Sequence, residues 1–183
     1  FLLNKIQLEK LVHSDIAKES WHILFSSAEK MRTTINSPKS QLLKYFESEK
    51  YKNQDIIQRI TVEQALSEMN VIQISIAYET EEIANNYAKR INNEFEGAFL
   101  ANMNLNCIDI CAKGINKAQG VKELLNLQKD KYFEQVLTIG DAQNDVPMIK
   151  EFEGYSLNSA TMHAKNVATK LYDSVGEMLL DNM

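Results

Sequence analysis

Apolar and polar residues alternate most cleanly over Val71–Ala77, with Ile72, Ile74 and Ile76 on one side and Gln73 and Ser75 on the other. A period of two predicts a half-buried strand. The period then lengthens to four, and Ile83, Tyr87, Ile91 and Phe95 recur after Thr80. This spacing predicts a helix capped by Thr80. Glu81 and Glu82 early, with Lys89 and Arg90 late, complement its dipole. Ala98–Ala101 and Leu105–Ile110 read as two further strands joined by the turn-forming set Asn102-Met103-Asn104. Nearer the start, Asp15 is placed to cap a helix carrying Ile16, Ser20, Ile23 and Leu24. Ser37-Pro38 precedes a second helix with Leu42, Leu43 and Phe46 inward. Thr61-Val62-Glu63-Gln64 has the form of a capping box, opening a short helix through Leu66. Residues 1–112 therefore read as an α+β layer with an antiparallel sheet.

From residue 113 to 183 the grammar becomes α/β, with the boundary near Ala112 to Gly114. A helix over Asn116–Leu127 is expected to bury Ala118, Val121, Leu124 and Leu125. Strand Val136–Ile139, helix Val146–Phe152, strand Tyr155–Leu157 and helix Met162–Thr169 follow. The order α-β-α-β-α implies parallel strands with helices on their faces.

The candidate chemistry lies where the strand at Val136–Ile139 gives way to Gly140-Asp141-Ala142-Gln143-Asn144-Asp145-Val146-Pro147-Met148. Asp141 falls just past the carboxyl end of that strand, where open α/β sheets place their ligands. Two carboxylates and an amide within five residues suit Mg²⁺, which takes few protein carboxylates. The plainer reading is a helix cap at Asn144 or Asp145 with Asp141 satisfying turn backbone. Lys117 opens the preceding helix, a position unfavourable to a cation unless an anion or an acid faces it. Lys113 and Lys122 read as solvated charge. His13, His22 and His163 lack metal-ligand spacing, Trp21 and Tyr87 read as packing residues, and Glu79, Glu81 and Glu82 as a solvated helix start.

Composition narrows the field. The 183 residues are 44% apolar and 25% charged, with a net charge of −5. This balance suits a globular protein and argues against a nucleic-acid partner, which needs a basic face. No stretch approaches the length of a membrane span. The only cysteines, Cys107 and Cys111, would lie roughly 13 Å apart along one strand face, too far to bridge. Reduced thiols point to a cytoplasmic protein.

Ile108-Asp109-Ile110-Cys111-Ala112-Lys113-Gly114-Ile115-Asn116-Lys117 resembles the stretch that ends the cap of Cof-type phosphatases in the haloacid dehalogenase (HAD) superfamily. Ile139-Gly140-Asp141-Ala142-Gln143-Asn144-Asp145-Val146-Pro147-Met148 resembles the fourth signature motif of that family. The resemblance is specific over residues 108–160 and architectural before them. It implies a HAD-like Rossmannoid parallel-sheet core, here lacking its N-terminal part, with an α+β cap that chooses the substrate. It further implies that Asp141 binds Mg²⁺, Asp145 supports the metal's water shell, Asn144 orients the phosphate, and Lys117 neutralises the nucleophilic aspartate and the transferring phosphoryl group.

Asn116 and Ala118 replace the family's usual Ser and Gly beside the lysine, and Ser159 stands where Asn is common. The family's Asp-x-Asp-Gly nucleophile motif is absent, since no Asp-x-Asp occurs in the chain. The expectation is a phosphatase of small phosphorylated metabolites whose nucleophile lies upstream of Phe1, so that this chain is inactive alone. A missing core segment or a second chain would then pair the open edge of Val136–Ile139. The rival expectation is a non-catalytic HAD-like domain binding a phosphorylated ligand or a protein. A receiver-type domain with an incidental acid-rich turn would lack an insert of this size.

Overall fold

A computed structural model of the chain describes residues 1–48 and 57–182. The chain divides into two compact units, Phe1–Lys113 and Gly114–Met183.

The first unit runs α1 (Lys5–Val12), α2 (Asp15–Lys18), β1 (His22–Ser26), β2 (Met31–Ile35), α3 (Gln41–Glu47), β3 (Ile57–Arg59), α4 (Val62–Glu68), β4 (Gln73–Ala77), α5 (Glu81–Glu94), β5 (Phe99–Asn104) and β6 (Cys107–Ala112). Its six-stranded sheet has the order β3-β2-β1-β4-β6-β5. Every neighbouring pair is antiparallel except β2–β3. Alternation sorts the faces: Ile23, Phe25, Ile74, Ile76, Ile108 and Ile110 are buried in one core with Leu8, Leu11 and Ile16 from the first two helices. Helix α5 contributes Ala84, Ala88 and Ile91 to that core, while Ile83 and Tyr87 are only partly buried. Its buried stripe is therefore rotated by about one residue from the expected one, with small alanines against the sheet.

The expected helix after Asp15 is only one turn long, and Ile23 and Leu24 lie on strand β1. The Ser20 hydroxyl donates to the Ala17 carbonyl, closing α2 before the strand begins. Helix α3 forms, yet none of its residues is fully buried. The β5–β6 turn is also displaced: the strands run through Asn104 and restart at Cys107, so Leu105 turns the chain at φ 56°. The Thr61 capping box is present, with Thr61 and Gln64 each accepting the other's backbone N–H.

The second unit contains α6 (Lys117–Leu127), β7 (Ile139–Gly140), a 3₁₀ turn at Gln143–Asp145, α7 (Val146–Glu151), β8 (Tyr155–Leu157), α8 (Met162–Lys165), β9 (Leu171–Tyr172) and α9 (Val175–Asn182). The three strands are parallel, in the order β7-β8-β9. Strand β7 is shorter than the Val136–Ile139 expectation, because only Ile139 and Gly140 pair with β8. On α6 only Ala118 is buried. Leu124 is 55% exposed, which corrects the expected inward face of Val121, Leu124 and Leu125. The buried apolar cluster here is small, comprising Ile149, Ala160 and Ala164, with Ala118, Tyr172 and Met178 buried outside it.

The parallel sheet of the second unit and the α+β layer of the first agree with the expected architecture. No helix among the described residues is long and apolar enough to cross a membrane. Cys107 and Cys111 are half-buried thiols, both pushed above the usual cysteine range by burial and by the Asp109 carboxylate.

Candidate functional site

Strand β7 ends at Gly140, and the chain turns through Asp141 and Ala142 before the 3₁₀ turn feeds α7, where Pro147 sits in the first turn. Proline costs no hydrogen bond there, since its missing N–H would have had no helical acceptor. Asp145 closes this turn. Its side chain is only 2% exposed, and one carboxylate oxygen accepts the Lys117 ammonium. The other oxygen accepts the backbone N–H groups of Asp141 at 3.0 Å and Ala142 at 3.1 Å. A buried carboxylate is tolerable only with such partners. Burial pushes the Asp145 carboxyl upward, and the Lys117 ammonium with the two N–H groups outweighs it, holding its pKa below the usual 3.8.

Lys117 is the first residue of α6, after Asn116, whose side chain caps the helix by accepting the Gln119 N–H at 3.0 Å. The lysine side chain remains 52% exposed, so its ammonium pairs with Asp145 and still faces solvent. Lys122, expected to be a solvated charge, instead pairs with Glu151 at 2.6 Å and links α6 to α7.

Asp141 is exposed, and both its peptide groups are held. The carbonyl of Asp141 accepts the Thr161 N–H at 2.9 Å, and the Gly140 carbonyl accepts the buried Ser156 hydroxyl at 2.7 Å. Its carboxylate makes no hydrogen bond or ion pair with any described residue. Asn144 is likewise exposed on the 3₁₀ turn. The structure thus brings Lys117 and Asp145 into direct contact and ties Asp145 to the backbone of Asp141, while the Asn144 side chain hydrogen-bonds to none of them. The plain reading of the turn, a carboxylate satisfying backbone N–H groups, is realised by Asp145 rather than by Asp141. Ser159 is exposed, and the loop's contact with the acidic turn comes from the backbone of Thr161. Neither Ser156 nor Thr161 carries a sequence signal for this contact, because residues on separate elements meet only in the folded sheet.

No group of three or more His, Cys, Asp and Glu residues that could hold a metal occurs among the described residues. Mg²⁺ needs no such cage, since it retains waters and takes one or two carboxylates. One unengaged, exposed carboxylate at a strand end fits that donor chemistry. The oxygens of Asp145, already accepting three donors, fit it less well as direct ligands.

The haloacid dehalogenase-like hydrolase family model matches residues 3–177, and the chain belongs to that family. No curated protein sequence shows a significant match. Among solved structures, a haloacid dehalogenase-like hydrolase from Bacteroides thetaiotaomicron is similar over 100% of this chain and 68% of its own, with 17% identity and a TM-score of 0.74. A HAD/COF-like hydrolase from Plasmodium vivax matches 94% of this chain and 60% of its own, at 17% identity and TM-score 0.70. The HAD subclass IIB sugar phosphatase BT4131 matches 99% of this chain and 67% of its own, at 16% identity and TM-score 0.75. At such identities the likeness is one of fold. The chain spans about two thirds or less of the length of these proteins.

Proposed function

We propose that this chain supplies the cap and the metal-and-lysine half of the core of a Mg²⁺-dependent phosphatase acting on small phosphorylated metabolites. The observation that carries this reading is the pairing of Lys117 with buried Asp145 beside an exposed, unengaged Asp141 carboxylate at a parallel strand end. Asp141 would hold the metal and Asp145 would support its water shell. Asn144 would meet the phosphate. When bound, Mg²⁺ supplies positive charge that offsets charge on the transferring phosphoryl group. Lys117 adds a second cation: its ammonium, half in solvent, can share an anionic guest with Asp145 without a buried charge being left unpaired.

Phosphoryl transfer depends on positioning and charge stabilisation, which this turn can provide. It also requires a nucleophile. The chain has no Asp-x-Asp, so the aspartyl-phosphate intermediate expected of the family needs an aspartate from outside these 183 residues. Residues 1–112 would act as the cap that sets substrate choice. The resemblance to a sugar phosphatase is compatible with a phosphorylated sugar, as one member of that substrate class.

The test is hydrolysis of p-nitrophenyl phosphate by the full-length protein with and without Mg²⁺, using Asp141→Asn and Lys117→Met variants. Metal-dependent turnover abolished by either substitution is the expected result. Phosphate binding without turnover would favour a non-catalytic ligand-binding domain, the reading that the absent Asp-x-Asp supports. Loss of both would overturn the proposal.

A further inference from the structure

The backbone on either side of Asp141 is held by hydrogen bonds. Two peptide planes flank its Cα, and each is gripped at both ends. In the 140–141 peptide the N–H donates to Asp145 at 3.0 Å, and the carbonyl accepts the Ser156 hydroxyl at 2.7 Å. In the 141–142 peptide the N–H donates to Asp145 at 3.1 Å, and the carbonyl accepts the Thr161 N–H at 2.9 Å. With both planes fixed, φ and ψ of Asp141 are fixed too, leaving only the side-chain torsions free.

Three of these four grips come from Asp145 and from backbone. Ser156 is the remaining side chain. It lies on β8 directly opposite Gly140 and is fully buried. Its own N–H is spent on the Lys170 carbonyl, so β8 stays in register with its other neighbour while the hydroxyl reaches toward β7. The parallel ladder ends at the Gly140–Ser156 pair, the Ser156 hydroxyl adds a side-chain bond to the Gly140 carbonyl, and the chain enters the turn at the residue that carries the acid.

We infer that Ser156 is a positioning residue for the metal site: its buried hydroxyl orients the 140–141 peptide and so aims the Asp141 carboxylate. This rests on the metal-binding reading of Asp141. Ser156 touches neither metal nor substrate. Removing its hydroxyl takes one donor from the Gly140 carbonyl and loosens the plane, while the Asp141 N–H bond to Asp145, the β7–β8 pairing and the Asp145–Lys117 pair remain.

The experiment titrates Mn²⁺ alone into the full-length protein, followed by electron paramagnetic resonance, for wild type and for Ser156→Ala, Asp141→Asn and Ile149→Val. The Ile149 variant is a control that loosens the buried cluster of this unit without removing any hydrogen-bonding group from the turn. Ser156→Ala should weaken Mn²⁺ binding about three- to tenfold, the range of one lost hydrogen bond, and speed hydrogen exchange at the Asp141 amide. Ile149→Val should lower the unfolding midpoint while leaving the Mn²⁺ affinity within about twofold of wild type. If Asp141→Asn abolishes binding but Ser156→Ala binds like wild type, the positioning role is overturned and the metal site stands. If Asp141→Asn binds Mn²⁺ like wild type, the metal reading falls and the positioning role falls with it. Equal weakening in Ser156→Ala and Ile149→Val would reduce Ser156 to a stability residue and likewise overturn the inference.

Discussion

Asp145 leaves no room for a side chain at residue 140: its Cβ lies 2.3 Å, and its Cγ 2.6 Å, from where a β-carbon on Gly140 would stand. The glycine is therefore required by close approach, not by an unusual backbone angle. Gly140→Ala must push Asp145 out of the pocket in which it meets Lys117 and the Asp141 and Ala142 amides. Overpacking of this kind costs roughly 1–3 kcal/mol. The variant should unfold at lower denaturant concentration with an unchanged m-value, and on the phosphatase reading proposed above the metal-dependent turnover of the full-length protein should fall by a larger factor than the folded fraction. Urea melts read alongside activity check both.

Lys117→Met tests the ion pair from the other side. Breaking a fully buried pair costs roughly 3–5 kcal/mol, but this ammonium is half exposed and screened, so about 1–2 kcal/mol at pH 7 is expected. Burial remains while the lysine's attraction is gone, so the Asp145 carboxyl should titrate at higher pH than in wild type. In wild type its folded pKa is depressed. Its stabilising contribution is therefore present above the unfolded value of 3.8 and lost as pH falls through the lower folded value. In the variant that acid-side contribution shrinks or disappears. Carbon NMR titration of the Asp145 carboxyl distinguishes the two profiles, and an unshifted resonance would sink the account.

The parts of this fold legible in the sequence were those with a local cause. The Thr61 and Thr80 caps, the strand around Ile74 and Ile76 and the acid-rich turn after Gly140 each announce themselves within a few residues. Strand β1 did not, because Ile16, Ser20, Ile23 and Leu24 fall at helical spacing. Its extended form depends on pairing with Thr33 and Thr34 on the next strand and with Ile76, far away in the chain. The Leu105 turn is equally silent, since a leucine at positive φ carries no turn signature. At the site, residue types suggested acids and a lysine. Only the sheet revealed that Asp145 is consumed by the turn's own backbone and that Ser156 and Thr161 hold Asp141.

Gly154 presents a second close approach. A β-carbon there would lie 2.1 Å from the Thr138 hydroxyl and 2.8 Å from the Thr138 carbonyl. Gly154→Ala should therefore destabilise by roughly 1–3 kcal/mol. The Thr138 hydroxyl is buried and has no hydrogen-bond partner among the described residues. Thr138→Val, of similar shape, removes that uncompensated group and should raise stability by about 1 kcal/mol. In the double variant a valine methyl stands where the hydroxyl was and the carbonyl clash persists, so Thr138→Val should not relieve the Gly154→Ala penalty. Chemical denaturation of the four proteins checks the cycle, and rescue of Gly154→Ala by Thr138→Val would overturn the steric account.

His22 sets an acid limit for the first unit. It is buried on β1, with Nδ1 2.8 Å from the Ser40 hydroxyl, and Ser40 in turn caps α3. Burial lowers the imidazole pKa from 6.5 to about 4. The folded form thus resists a proton that the unfolded chain accepts, and between these two values the unfolded state binds more protons. Stability must therefore fall as pH drops from about 6.5 to about 4. Each unit of pKa is worth about 1.4 kcal/mol, so the loss across that window is on the order of 3 kcal/mol. His22→Gln, which keeps a polar partner for Ser40 without a titrating ring, should be less stable at neutral pH and lose less on acidification. Unfolding free energies measured at steps between pH 7 and 4 give the two slopes. Parallel slopes would assign the acid sensitivity to the carboxylates instead of His22.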